Sequence, residues 1–172
     1  MNSPSTFAQL KSIALLPFVV AVIIPFVVLC FLNEFTIVNE PGLWLKLIGV
    51  ILFSIGFPLF IQSVVLFIKI GKGTLAPWNP TKKLVVKSLY RYTRNPMILG
   101  VLFILLSESF WFNSLAVLIW SILFFMINQV YFILKEEPDL KKKFGQEYEE
   151  YCENVPRWIP RIKGWKPEEN GL

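Results

Sequence analysis

The polar residues of this chain that are able to do chemistry stand at the ends of apolar stretches. Asn95 directly precedes Pro96, a pairing that starts a helix with Asn at the N-cap and Pro at the first helical position. Such a start presents free amide groups and the positive end of the helix dipole, which favour an anion, although an ordinary capped span would look the same. Glu136 and Glu137 follow the apolar run 112–134. Carboxylates at the C-terminal end of a helix oppose its dipole unless a new helix begins there or a cation is held. Pro138 favours a new start, and a solvated pair of interfacial charges is the other reading. Asn128 lies eight residues before Glu136, two turns away on nearly the same face, with Gln129 beside it. Amides at that depth serve helix packing or contact a substrate.

Absences narrow the chemistry further. The chain has no histidine, which removes the commonest general base, the commonest transition-metal ligand and every histidine-containing triad. Two cysteines, Cys30 in an apolar stretch and Cys152 in a charged one, are expected on opposite sides of the membrane plane as free thiols. No metal site is expected. Gly71 and Gly73 form a G-x-G without a third glycine or a βαβ context, so no soluble-type nucleotide fold is indicated.

The elements that must position these residues are membrane helices. With 55% hydrophobic residues and a mean hydropathy of +0.57, the chain is too apolar for a soluble domain of 172 residues. Spans are expected over residues 13–32, 43–70, 96–110 and 112–134, with a cytoplasmic loop 71–95 and a cytoplasmic tail 135–172. The fold class is all-α, a single polytopic membrane domain. The first apolar run lacks a small-x-small cleavage site and is expected to be a retained span. Ser107, Glu108 and Asn113 mark a tight turn, which makes the last two spans a helical hairpin with a short first arm. Pro17, Pro25 and Pro58 fall inside spans and require local distortion, neighbouring helices or hydroxyls to satisfy the backbone. Gly49 and Gly56 share a helix face open to close approach.

Seven of the 17 basic residues lie between Lys69 and Arg94 and eight from Lys135 onward, whereas residues 33–42 and 107–113 hold none. The positive-inside rule then places both termini in the cytoplasm. The net charge of +5 reflects orientation and anionic lipid, not nucleic acid. In the tail, Leu140, Phe144, Tyr148 and Tyr151 recur at helical spacing, giving an amphipathic helix that lies on the membrane or caps the bundle.

From Gly73 to Arg161 the order of motifs resembles the isoprenylcysteine carboxyl methyltransferase and phospholipid methyltransferase superfamily. The runs are GTLAPWNPTKKLVVKSLYRYTRNPMILG (73–100), EEPDL (136–140), FGQEYEEYC (144–152) and VPRWIP (155–160), about half of the chain. The resemblance implies S-adenosyl-L-methionine as cofactor. It is expected to be held by the loop before the hairpin, by an Arg-His-Pro-x-Tyr type motif and by a glutamate after the last span. Position by position this implicates Lys82, Lys83, Leu84, Val85, Tyr90, Asn95, Pro96, Met97, Ile98 and Glu136. Asn95 and Ile98 depart from that motif's histidine and tyrosine. Asparagine still caps a helix and donates hydrogen bonds, so cofactor binding survives the change more easily than a proton-transfer role would.

An arginine that helps hold the substrate carboxylate in the prenylcysteine enzymes is matched here by Phe132, which points away from a prenylcysteine carboxylate. Asn128 and Phe132 are the substrate-side candidates, and no catalytic residue is singled out. The expected partners are the bilayer and a hydrophobic or lipid-like acceptor, lipid amine and small thiol being equally open. Methyl transfer from an activated donor needs positioning more than proton transfer, which suits a chain without histidine. The alternative is a non-catalytic membrane scaffold or small transporter that keeps the methyltransferase fold.

Overall fold

The computed structural model describes residues 15–31, 42–66, 69 and 84–166. All its regular elements are helical, and no strand occurs among the described residues. Lys82, Lys83, the G-x-G at Gly71 and most of the loops at 33–42 and 71–95 lie outside them. Four apolar helices come first: α1 (Leu15–Phe31), α2 (Leu43–Leu66), α3 (Pro96–Trp111) and α4 (Leu115–Tyr131). The short helices α5 (Glu137–Phe144) and α6 (Gln146–Asn154) follow. α2 and the continuous helix Leu115–Phe144 are long and apolar enough to cross a bilayer. Their flanks expose Trp44, Ile51, Phe57, Ile122 and Ile127, a surface that water would not favour and lipid does. The chain is a helical membrane protein.

Two prolines explain two irregularities. The π turn Val19–Ile23 ends in an Ile24 N–H bonded to Val19 O, immediately before Pro25. Val20 O therefore lacks a backbone donor, and the Trp120 indole supplies one at 3.2 Å. The π turn Phe132–Glu136 likewise ends in Glu137 N–H bonded to Phe132 O, immediately before Pro138. The chain thus does not break at Pro138 to start a separate helix; it widens by one residue and continues into α5.

α3 occupies the centre. Val101, Ile104 and Leu105 are buried with Ala21 of α1 and Phe124 of α4, and Phe60 of α2 packs on them. α2 approaches α3 closely at small residues, as the Gly49 and Gly56 face suggested. A Cβ on Gly56 would lie 2.7 Å from Phe103 Cβ and 2.9 Å from Gly100 O. One on Gly100 would lie 2.7 Å from Phe60 N. Backbone-to-backbone contact of this kind is available only to glycine.

The expected single amphipathic helix of the tail is two helices, because Gly145 at φ +54° turns the chain between α5 and α6. Its apolar stripe remains continuous. Tyr148, Tyr151 and Val155 form a buried cluster joined by Leu140 and Phe144, and Leu84 and Val86 of the loop pack against it together with Trp165. Of the two placements expected for the stripe, contact with protein is the one observed.

Candidate functional site

The site begins where the loop meets α3. Residues 91–94 run alongside the tail: Arg94 N donates to Pro156 O, Arg161 N to Tyr92 O and Trp165 N to Arg91 O, each at 2.9 Å. Thr93 Oγ1 donates to Arg157 O at 2.9 Å, and the Tyr151 hydroxyl donates to Tyr90 O at 2.7 Å. These bonds satisfy backbone that a loop would otherwise leave open, and they fix Tyr90 and the start of α3.

Pro96 takes the first turn of α3 as expected, and Asn95 holds the N-cap position, but its side chain makes no capping bond. The Asn95 amide and the N–H groups of Met97 and Ile98 have no partner among the described residues. A helix N-terminus with uncommitted donors favours an acidic ligand group.

An ion pair carries this helix start to the far end of α4. Arg94, next to Asn95, donates from Nη1 to Glu137 Oε1 at 3.0 Å. Arg157 completes the clamp, with Nε to Oε1 at 2.7 Å and Nη2 to Oε2 at 2.8 Å. Glu137 is thus fully engaged, not a solvated charge. Its neighbour Glu136 is half-buried and makes no hydrogen bond or ion pair within the described residues. Burial, and after it the charge of Glu137, push its carboxyl up to about 7. Burial, then the charge of Glu136, push the Tyr90 hydroxyl well above the usual range, so the two side chains share one region. Desolvation without a partner is the cause that dominates at Glu136.

The remaining expected residues divide. Val85 and Met97 are buried, Leu84 packs on the tail cluster, and Ile98 leans on the bundle core. Asn128 Nδ2 donates to Phe124 O at 2.8 Å within its own helix, which is packing use. Phe132 is buried, with its ring 5.7 Å from Trp158. Sequence reasoning missed Arg94, Glu137, Arg157, Tyr151 and Trp158 as builders of the site. Arg157 and Trp158 stood in the VPRWIP run, and the complementary charges of Arg94, Arg157 and Glu137 were the available signal.

The phospholipid methyltransferase family model matches residues 44–147, more than half of the chain, including the start of α3 and Glu136 and Glu137 but not Tyr151, Arg157 or Trp158. The chain belongs to the phospholipid methyltransferase family. Among relatives, an uncharacterized protein of Haemophilus influenzae is 45% identical over 64 residues, 37% of this chain and 100% of that protein. Methanethiol S-methyltransferase 2 of Bradyrhizobium diazoefficiens is 34% identical over 77 residues, 43% of this chain but only 27% of that protein. Members of the phospholipid methyltransferase family are named for methyl transfer.

Proposed function

We propose that this protein is an S-adenosyl-L-methionine-dependent methyltransferase acting on a hydrophobic or membrane-associated acceptor at the cytoplasmic membrane face. In this reading it is a multi-pass protein of four spans, with α3 and α4 as a hairpin and both termini cytoplasmic. The observation that carries the reading is Glu136, a desolvated carboxylate without a partner among the described residues, whose charge reaches Tyr90 and whose neighbour Glu137 is tied through Arg94 to the start of α3.

The residues suit the cofactor's three chemical parts. Its carboxylate matches the free N–H groups at Met97 and Ile98, the Asn95 amide and the cations Lys82 and Lys83. Its flat base matches apolar and aromatic surface from Leu84, Val85, Tyr90, Pro96, Met97 and Ile98. Its positive centre matches Glu136. When bound, S-adenosylmethionine supplies a methyl group on a sulfonium, already activated for displacement. The chain's part is to bind and orient the reactants and to exclude water, and no residue need move a proton when the acceptor is nucleophilic. The name of the Bradyrhizobium relative adds a thiol to the acceptors this site would serve.

Membranes containing the protein are incubated with methyl-labelled S-adenosylmethionine, and the lipid, thiol and protein fractions are counted. Label in one fraction above control membranes is expected. Purified protein that binds neither S-adenosylmethionine nor S-adenosylhomocysteine by calorimetry overturns the reading. Cysteine labelling tests the topology: positions near Lys83 and Lys142 should react from the cytoplasm and positions near Asn39 from outside, and labelling of Asn39 and Lys83 from one side removes the four-span arrangement.

A further inference from the structure

The face of α4 that leads to Glu136 is covered by a residue of the tail. Phe125, Gln129, Phe132 and Glu136 follow at spacings of four, three and four, so they share one side of the helix over about three turns. Trp158 lies along it. Its indole N–H donates to Gln129 Oε1 at 2.6 Å, and its ring stands 5.1 Å from Phe125 and 5.7 Å from Phe132. Phe132 is left only 5% exposed. The indole is held from behind as well, because Arg157 is clamped to Glu137 and its carbonyl accepts from Thr93.

We propose that Trp158, seated on Gln129 and Phe132, sets the size of the methyl acceptor: it admits a small thiol with no other ionisable group and excludes long-chain and lipid acceptors. This rests on the methyl-transfer reading. In that reading an acceptor that reaches Glu136 along this face of α4 extends into space that the Trp158 indole occupies. Among the described residues, no cation on that face is free to hold an acidic acceptor. Phe125 and Phe132 are apolar, and the Gln129 carbonyl is engaged by the indole. Arg94 and Arg157 are both engaged by Glu137. Without histidine, the acceptor must bring its own nucleophile, which a thiol does by ionising in solution. Its proton goes to water. The thiolate sulfur then forms a bond to the methyl carbon, the bond from that carbon to the sulfonium breaks, and its electron pair stays on the cofactor sulfur. A thioether and S-adenosylhomocysteine result.

The full chain, purified in detergent, is assayed with methyl-labelled S-adenosylmethionine and methanethiol, 1-butanethiol or 1-octanethiol, with phosphatidylethanolamine vesicles as a fourth acceptor. The parent is expected to favour methanethiol. Trp158→Ala should raise the octanethiol-to-methanethiol ratio of kcat/KM by about tenfold or more, the order by which a pocket discriminates apolar groups. Trp158→Phe should give an intermediate ratio. A purely structural role would lower all acceptors together and leave the ratio unmoved. If Trp158→Ala does not fold, Trp158→Phe with unaltered binding of S-adenosylhomocysteine carries the test. An unchanged ratio in the folded Trp158 variants overturns the proposal, as does a parent that prefers octanethiol or methylates the vesicles. A parent that binds S-adenosylhomocysteine but methylates no thiol overturns this proposal and leaves the methyl-transfer reading standing; one that binds no cofactor overturns both.

Discussion

Replacing Glu137 by glutamine should cost folding stability that the same change at Glu136 does not. Glu137 accepts three charge-assisted bonds, at 3.0 Å from Arg94 and at 2.7 and 2.8 Å from Arg157. The side chains of Arg94, Glu137 and Arg157 are 13%, 24% and 20% exposed. Glutamine keeps the shape, removes the charge and turns one acceptor into an NH2 that faces a guanidinium. Hydrogen bonds to charged groups contribute about 1.5–3 kcal/mol each in dry surroundings. With water reaching part of this cluster, the loss for the whole clamp is set at about 2–3 kcal/mol, below the cost of breaking a fully buried pair. For a chain of this length that is about 5–10 °C in melting temperature. Thermal unfolding in detergent, followed by tryptophan emission, reads it directly. A cycle with Arg157→Met should return a coupling of about 2 kcal/mol, since Arg157 makes two of the three bonds. The reasoning is refuted if Glu137→Gln melts with the parent, or if Glu136→Gln is the less stable of the two.

Two further consequences are open to measurement. Burial first and the Glu137 charge second push the Glu136 carboxyl up to about 7, so its ionised form grows from the minor to the major species between pH 6 and pH 8. The ratio of cofactor affinity in the parent to that in Glu136→Gln should therefore grow about tenfold between pH 6 and pH 8, and a flat ratio by calorimetry excludes the carboxylate. Because the folded pKa is raised above the ordinary 4.5, this group's contribution to stability without cofactor is complete below that value and is lost as pH rises through about 7. At pH 8 Glu136→Gln should then melt no lower than the parent. Gly100→Ala would set a Cβ 2.7 Å from Phe60 N and 2.9 Å from Phe60 Cα. Backbone cannot swing aside, so α2 and α3 must part at a cost of about 1–3 kcal/mol. Gly42→Ala, with nothing within 4 Å, should melt like the parent.

The apolar helices were legible because lipid demands long uninterrupted runs, and the start of α3 because Asn-Pro has few other uses. The close approach of α2 and α3 was legible in the spacing of Gly49 and Gly56, though Gly100 as its partner was not. The π turns were not legible: a proline announces a missing donor, but whether the helix breaks, as expected at Pro138, or widens, as at Phe132–Glu136, depends on what surrounds it. The expectation that Glu136 holds the cofactor came from family resemblance. Its physical character, a carboxylate unpaired among the described residues while Glu137 takes both arginines, depends on Arg94 and Arg157 meeting across 63 residues of chain. Such long-range pairings leave no periodicity in a single sequence. Trp158 was hidden for the same reason, since its partners Phe125, Gln129 and Phe132 lie on another element.

The most direct test of a cofactor site centred on Glu136 is calorimetric titration of the purified protein with S-adenosylmethionine at pH 8, parent against Glu136→Gln. Removing a charged hydrogen-bond partner costs about 1.5–3 kcal/mol, or about one to two decades in affinity. The variant should bind about 10- to 100-fold more weakly while melting at or above the parent's temperature. Equal affinity in the two proteins, or no binding to the parent, would contradict it.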